Sequence, residues 1–121
     1  LIQDVLKRIP DEWGKHVSCG PGWWQLISLC DKELARIDPD YEIHQVKEKF
    51  GGLRFYFHTN NPDFQTPMDL IVARYEKACA ITCEETGGHG YLMKRHGLLK
   101  TLSESYLNSG WERIKQGKDE E

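Results

Sequence analysis

The chain has 121 residues and a mass of 14.1 kDa, a size that suits a single domain with one hydrophobic core. Apolar residues make up 39% of the chain, charged residues 29%, and the mean hydropathy is -0.63, which argues against a membrane protein and against intrinsic disorder. The net charge of -3 equals the charge of the last three residues, Asp119, Glu120 and Glu121. The rest of the chain is therefore neutral and lacks the basic excess of a protein that coats nucleic acid.

Neither a membrane helix nor a secretion signal is recognisable. No apolar run reaches the roughly 20 residues that a membrane helix needs, and the first residues lack the charged-then-apolar pattern of a signal peptide. We therefore expect a cytoplasmic protein, and a chain that begins without Met leaves a removed signal open. The cysteines are too few for a disulfide scaffold and fit free thiols in a reducing compartment; they are Cys19, Cys30, Cys79 and Cys83.

Apolar residues at helical spacing predict two helices in the first third of the chain. The first covers residues 1–9, because Pro10 ends the pattern. The second covers residues 23–37, between the turn-rich residues 19–22 and the Asp38-Pro39 pair. Its apolar stripe can bury only one ring of Trp23 and Trp24 cleanly, so we expect the other ring near the surface.

Period-two patterning predicts a β-hairpin over residues 42–58, with Gly51 and Gly52 as its turn. This register sets three cross-strand pairs: Phe50 with Leu53, Glu48 with Phe55, and Val46 with Phe57. One face is then apolar, and the other is basic and aromatic, with Lys47, Lys49, Arg54, Tyr56 and His58. A three-residue loop would instead pair Glu48 with Arg54, and the sequence leaves that choice open.

The second half of the chain predicts a helix, a short hairpin and a final helical segment. Thr66 as N-cap and Pro67 at the first helical position start a helix that runs over residues 67–86, to the stop at Gly87 and Gly88. Residues 90–101 suit a second hairpin, and residues 102–115 a final helix or two interrupted by Gly110. We predict one α+β domain over residues 1–116, with an antiparallel hairpin sheet packed against three to four helices, and a frayed acidic tail at 117–121.

Three stretches together resemble an uncharacterised family of small bacterial and phage proteins. They are CGPGW at residues 19–23, QVKEKFGGLRFY at residues 45–56 and LKTL at residues 99–102. The middle stretch is the specific one, and the resemblance covers most of residues 19–107. It implies a small C-terminal zinc ribbon of the form C-x2-C-x16-C-x2-H.

In this chain the ribbon spacing falls on one zinc ligand and three hydroxyl side chains, at Cys83, Thr86, Ser103 and Tyr106. Hydroxyls replace thiolate and imidazole poorly around Zn²⁺. We therefore predict a degenerate ribbon, a hairpin plus a helix held by packing, with no metal and no cofactor.

A rearranged metal site is the alternative. Two thiols four residues apart on a helix and two following imidazoles would supply four ligands: Cys79, Cys83, His89 and His96. Against this site, a thiol on a helix stripe is more often a small core residue.

Two residues suggest catalysis. Cys19 on its glycine-proline turn could act as a nucleophile with His16 or another histidine as the base, although a cysteine packed beside Trp23 is the simpler interpretation. Glu48 lies among apolar residues in the hairpin, where a carboxylate needs a partner. A lone acid describes no reaction, so we expect a structural ion pair with Arg54 or a lysine.

The remaining signals favour a non-catalytic protein-binding module. Its predicted partner surface consists of Trp24, Lys47, Lys49, Arg54, Tyr56, His58, Lys94 and Arg95. By analogy with small phage and mobile-element proteins, the resemblance implies an inhibitor that binds a host protein, with a homo-oligomer left open and no membrane partner. Nucleic-acid binding through the same basic-aromatic face, with His96 and Lys100, is the first alternative, and a small enzyme using Cys19 or Glu48 is the second.

Overall fold

The computed structural model describes residues 1–115, which form three α-helices and five β-strands. The helices are α1 (Gln3–Lys7), α2 (Trp24–Ile37) and α3 (Pro62–Cys79). The strands are β1 (Glu42–Lys49), β2 (Gly52–His58), β3 (Tyr91–Arg95), β4 (Leu98–Leu102) and β5 (Glu112–Arg113). Short 3-10 helices cover Asp11–Trp13, Pro21–Trp23 and Glu104–Ser109. The α+β class is confirmed, and the predicted tail at residues 117–121 lies outside the described residues.

The first two helices agree with the periodicity of the sequence. The helix α2 begins one residue later than predicted, because Pro21–Trp23 forms a 3-10 turn, and it ends as expected before Asp38. The helix α1 is shorter than the predicted residues 1–9. Within residues 1–115, no helix combines the length and apolarity that crossing a membrane requires.

The predicted bounds of α3 are wrong at both ends. The helix starts at Pro62 because the Asn61 side chain caps it, accepting a hydrogen bond from the Asp63 N–H at 3.0 Å. Pro67 therefore lies inside the helix. The helix stops at Cys79 rather than at residue 86, because the Cys83 N–H donates to the Gly88 carbonyl at 2.7 Å and closes a loop. Helix periodicity does not reveal such a loop closure.

The β1–β2 hairpin forms as predicted, but its predicted register is wrong by two residues. Phe50 and Gly51 form the turn, with φ of 55° and 84°, where the sequence favoured Gly51 and Gly52. The cross-strand pairs are Lys49 with Gly52, Glu48 with Leu53, Lys47 with Arg54, Val46 with Phe55, and Gln45 with Tyr56. Because side chains alternate with period two, a shift of two residues keeps the strand residues on their predicted faces. Phe50 is the exception, because it was expected on the apolar face opposite Leu53 and instead lies in the turn, 67% exposed.

The second sheet has the order β4-β3-β5 and is antiparallel throughout. Its β3–β4 hairpin confirms the hairpin expected at residues 90–101. The predicted final helical segment is present only as the 3-10 helix Glu104–Ser109, and the interruption expected at Gly110 is a chain reversal with φ of 87°. No helix follows Gly110 within the described residues. The chain then adds β5 beside β3, with Arg113 opposite Met93. This pairing joins segments about 20 residues apart, which local propensity cannot predict.

The buried apolar side chains form two clusters. The main cluster joins α1, α2, α3 and the apolar face of β1–β2, and Trp23, Ile27, Leu34 and Leu53 are nearly or fully buried there. The second cluster consists of Cys83, Met93, Leu102 and Trp111, with Tyr91 and Tyr106 packed against it. The Trp23 indole N–H donates to the Thr82 carbonyl at 2.8 Å, so the largest side chain of the main cluster is tied to the loop that leads into the second.

Candidate binding face and the buried junction

One face of the β1–β2 hairpin points away from the main cluster, and we call it the outer face. Its strand residues follow from the register and the alternation of the strands. It consists of Trp13, Glu42, His44, Gln45, Lys47, Lys49, Arg54, Tyr56 and His58. The five hairpin residues that the sequence assigned to a basic-aromatic face all lie on it.

Three rings at the open end of the outer face stack in parallel. Trp13 lies on His44 with ring centroids 4.5 Å apart and planes 12° apart, and His44 lies on His58 at 5.8 Å and 7°. The β1–β2 register shifts between Ile43 and Gln45, so His44 is an extra residue in β1 and its ring is the one that stacks between Trp13 and His58. Gly14, with φ of 80°, turns the chain directly after Trp13.

The ring stack remains accessible to solvent. Within the stack, Trp13 is 53% exposed. Tyr56, which lies on the same face outside the stack, is 48% exposed. His58 accepts or donates a hydrogen bond at 3.0 Å with the Asn60 side chain, which further orders the end of the stack. The local sequence pattern does not place Trp13 on this face, because Trp13 lies outside the hairpin.

The turn end of the outer face carries cations. Lys47 lies directly opposite Arg54, and Lys49 follows on the same strand face. The Lys49 ammonium lies 5.5 Å above the Phe50 ring. Among residues 1–115, neither lysine has a carboxylate within ion-pair distance.

Three residues of the predicted partner surface lie elsewhere. Trp24 is half buried, and its shielded indole N–H has no acceptor among residues 1–115, so the expected surface partner for this N–H is not found there. Lys94 and Arg95 belong to β3 in the second sheet. Arg95 stacks 4.5 Å above the Trp111 ring and donates to the Ser109 carbonyl, so it stabilises the second cluster.

The three stretches that carry the family resemblance meet at a buried junction between the clusters. The Gly20 N–H donates to the Glu84 carboxylate at 2.8 Å, and the Gly22 N–H donates to the Glu84 carbonyl at 2.7 Å. From the third stretch, Thr101 donates its hydroxyl to the Gly51 carbonyl at 2.7 Å. The motif residues therefore have a structural role, joining the hairpin and the helices to the second sheet.

A buried ion cluster completes this junction. The Lys100 ammonium lies 3.0 Å from Glu48 Oε1 and 3.4 Å from Glu84 Oε1, and Glu84 is only 2% exposed. Burial alone would lower the pKa of Lys100, but the hydrogen bond to Glu48 and the charge of Glu84 raise it overall. The expected structural ion pair of Glu48 is thus formed with a lysine rather than with Arg54, and Lys100 is not available to a nucleic acid.

Cys19 lies beside this cluster in an environment that opposes nucleophilic chemistry. Burial, followed by the charges of Glu84 and Glu85, raises the pKa of Cys19 to about 12. Within the described chain, no histidine side chain is hydrogen-bonded to its thiol, and His16 is exposed. A thiolate at neutral pH is therefore disfavoured at Cys19.

The four candidate ligands of a rearranged metal site are not brought together. Cys79 lies in the main cluster and Cys83 in the second, so the predicted shared helix face does not exist. His89 contacts the Tyr91 ring edge-on at 4.7 Å, and His96 forms the β3–β4 turn with φ of 50°. Residues 1–115 contain no group of three or more His, Cys, Asp or Glu side chains that could hold a metal ion.

The degenerate ribbon positions do cluster around Cys83. Burial acts to raise the pKa of its thiol, but a hydrogen bond from the Thr86 side chain and backbone hydrogen bonds from Thr86, Glu85 and Ser103 outweigh that effect and lower it. The Thr86 N–H lies 3.4 Å from the sulfur, and Tyr106 packs against the same cluster.

Sequence reasoning missed a second polar cluster, formed by Arg8, Asp31 and Tyr41. Asp31 is 2% exposed, pairs with the Arg8 guanidinium and accepts the Tyr41 hydroxyl hydrogen bond. The sequence does contain an indication of this cluster: Asp31 follows Ile27 by four residues and precedes Leu34 by three, which places a carboxylate on the apolar face of α2. The cleft beside it, about 870 Å³ in volume, is lined by charges of both signs, so we assign the cluster a structural role.

Comparison of the chain with known protein families, with curated proteins and with solved structures gave no match. The resemblance carried by the three motif stretches therefore stays a prediction.

Proposed function

We propose that this chain acts as a stoichiometric protein-binding module and that its partner docks on the outer face of the β1–β2 hairpin. The observation that carries this proposal is the exposed stack of Trp13, His44 and His58. An aromatic ring that is half exposed and already ordered loses little conformational entropy on binding, which is characteristic of interface hot spots. Tyr56 adds a second exposed aromatic side chain to the same face.

The surroundings of Cys19 and Glu48 support a binding function over an enzymatic one. The pKa of Cys19 is raised, and the Glu48 carboxylate is occupied by the Lys100 ammonium and by the Gly51 N–H at 2.7 Å. Both groups are parts of the junction between the clusters. In our proposal they stabilise the fold, and the outer face binds the partner.

A finer proposal concerns biological origin. The resemblance of the motif stretches to small bacterial and phage proteins suggests an inhibitor, encoded by a phage or mobile element, that blocks a host protein by binding it in the cytoplasm. Nucleic-acid binding on the outer face is the competing proposal, because stacked rings beside lysines also suit bases and phosphates.

The proposal is tested by affinity capture from a lysate of the encoding organism, followed by mass spectrometry. We expect a protein of defined stoichiometry to be retained by the wild type and lost on Trp13→Ala and on Tyr56→Ala. Leu70→Ala is the matched control, because Leu70 is 67% exposed but lies on α3. Thermal unfolding of each variant verifies that it folds.

Two results would contradict the proposal. If both aromatic variants still retain the partner, the outer face is not the binding surface. Recovery of nucleic acid without a protein partner would favour the competing proposal.

A further inference from the structure

The cations at the turn end of the outer face are arranged at an energetic cost. Lys47 and Arg54 lie directly opposite each other across β1 and β2, and like charges in that position destabilise a hairpin. Lys49 extends the positive row along the same strand. Local conflicts of this kind are found mainly at functional sites.

The described part of the chain does not neutralise this row. Lys47 and Lys49 have no carboxylate within ion-pair distance in residues 1–115. Within residues 1–115, the Arg54 guanidinium donates only to the Leu53 carbonyl, at 3.4 Å, and forms no ion pair. Burial raises the pKa of Glu76 on α3, and the nearby charge of Arg54 offsets this only in part. Glu42 is an acid at the far end of the face, where it lies 3.5 Å from His44.

The positive row is also a local feature of an otherwise acidic chain. Outside this face, the described residues 1–115 hold 12 Lys and Arg against 15 Asp and Glu, so the part of the chain beyond the face has an excess of carboxylates. A nucleic-acid strand that leaves the face would meet like charge, whereas an acidic patch on a protein can be confined to the size of the face.

Building on the proposed function, we infer that the partner is a protein that places a row of carboxylates against Lys47, Lys49 and Arg54. In this arrangement the partner's carboxylates neutralise the cross-strand repulsion of the hairpin, and its apolar side chains contact the ring stack at the open end. The two ends of the outer face thus take different parts of one partner surface: charge sets the orientation and the aromatic rings supply most of the affinity.

The experiment uses the full chain, labelled with ¹⁵N, and two probes of matched charge, an oligoglutamate peptide and an oligothymidylate. We expect the peptide to shift backbone amides of β1 and β2 and to bind more weakly as ionic strength rises. Lys47→Glu and Lys49→Glu should each weaken peptide binding by at least about tenfold. Lys77→Glu is the control, because it changes net charge equally on an exposed site of α3, and its effect should stay within about twofold.

Three outcomes would overturn the inference: no amide shifts on β1 and β2 with the peptide, an equal effect of Lys77→Glu, or tighter binding of oligothymidylate than of oligoglutamate. None of these depends on the capture experiment. If the captured partner is lost on Trp13→Ala but binds Lys47→Glu as well as the wild type, the proposed function stands and the inference of an acidic partner surface is wrong.

Discussion

At the scale of single residues, Lys100 is the cation that two carboxylates share at the junction between the clusters. Its ammonium lies between Glu48 and the buried Glu84, and these side chains come from three separate segments of the chain. A buried carboxylate that loses its cation cannot recover the hydration it had in the unfolded chain. The stability of the junction therefore depends on this one positive charge.

We predict that Lys100→Met lowers the free energy of unfolding by about 3 kcal/mol at neutral pH, because two carboxylates are left without a cation. Since the pKa of Lys100 is raised above 10.5 in the folded chain, its contribution is complete below that pH. The contribution is lost as the pH rises through the raised value. Urea unfolding of both proteins between neutral and alkaline pH measures the difference, which should shrink as the lysine loses its proton.

Lys94→Met is the control for this prediction, because Lys94 is exposed on β3 and is not part of the ion cluster. Its effect should stay within about 0.5 kcal/mol. Equal losses for the two variants would mean that the ion cluster contributes no special stabilisation.

At the scale of elements, both hairpins use the same turn geometry. Phe50 and Gly51 connect β1 to β2, and His96 and Gly97 connect β3 to β4, all with positive φ. A bulky residue such as phenylalanine is strained in this region, whereas asparagine tolerates it. Phe50 is moreover 67% exposed, so burial does not offset its strain.

We predict that Phe50→Asn raises the free energy of unfolding by about 0.5–1 kcal/mol, because Asn-Gly is the favoured pair for this turn. The loss of the contact between Phe50 and the Lys49 ammonium reduces the gain slightly. Chemical denaturation of wild type and variant measures the change.

Phe50→Ala separates relief of strain from removal of an exposed ring, since alanine also lacks the ring but gains nothing at positive φ. A stabilised alanine variant, or an unchanged asparagine variant, would contradict the strain argument.

At the scale of the whole molecule, the two clusters of buried side chains are joined by direct contacts between backbones. A Cβ atom on Gly22 would lie 2.2 Å from the Cys83 carbonyl oxygen and 2.6 Å from the Glu84 carbonyl oxygen. Only glycine permits this approach. The CGPGW stretch is thus packed against the loop that carries Glu84.

We predict that the two clusters unfold together. Amide hydrogen exchange should give one opening free energy for Ile27 in α2 and Met93 in β3. Gly22→Ala should lower that free energy by about 1–3 kcal/mol, because the backbone atoms around the new methyl group have little room to move.

Gly88→Ala is the matched control for this prediction, because its Cβ would meet only the Thr86 hydroxyl at an ordinary 3.5 Å. It should change stability by less than about 0.5 kcal/mol. A lower opening free energy for Met93 than for Ile27 in the wild type would show that the second cluster unfolds independently.

Periodicity in the sequence was enough to predict α2, the two hairpins, the α+β class and the strand residues that share the outer face. Each depends on contacts between residues that are close along the chain, so local pattern is sufficient. The same reasoning explains why a register error of two residues left the face assignment intact. A cationic partner for Glu48, either Arg54 or a lysine, was likewise predicted, because a carboxylate among apolar residues requires a cation.

Only the tertiary structure decided the features that depend on distant segments. These are the end of α3 at Cys79, the pairing of β5 with β3, the stack of Trp13 on His44, and the choice of Lys100 as the partner of Glu48. In each of them the local sequence permits more than one conformation, and contacts with residues far along the chain select one. The free energy of such contacts is set by which surfaces meet in the folded chain, and a local pattern does not contain that information.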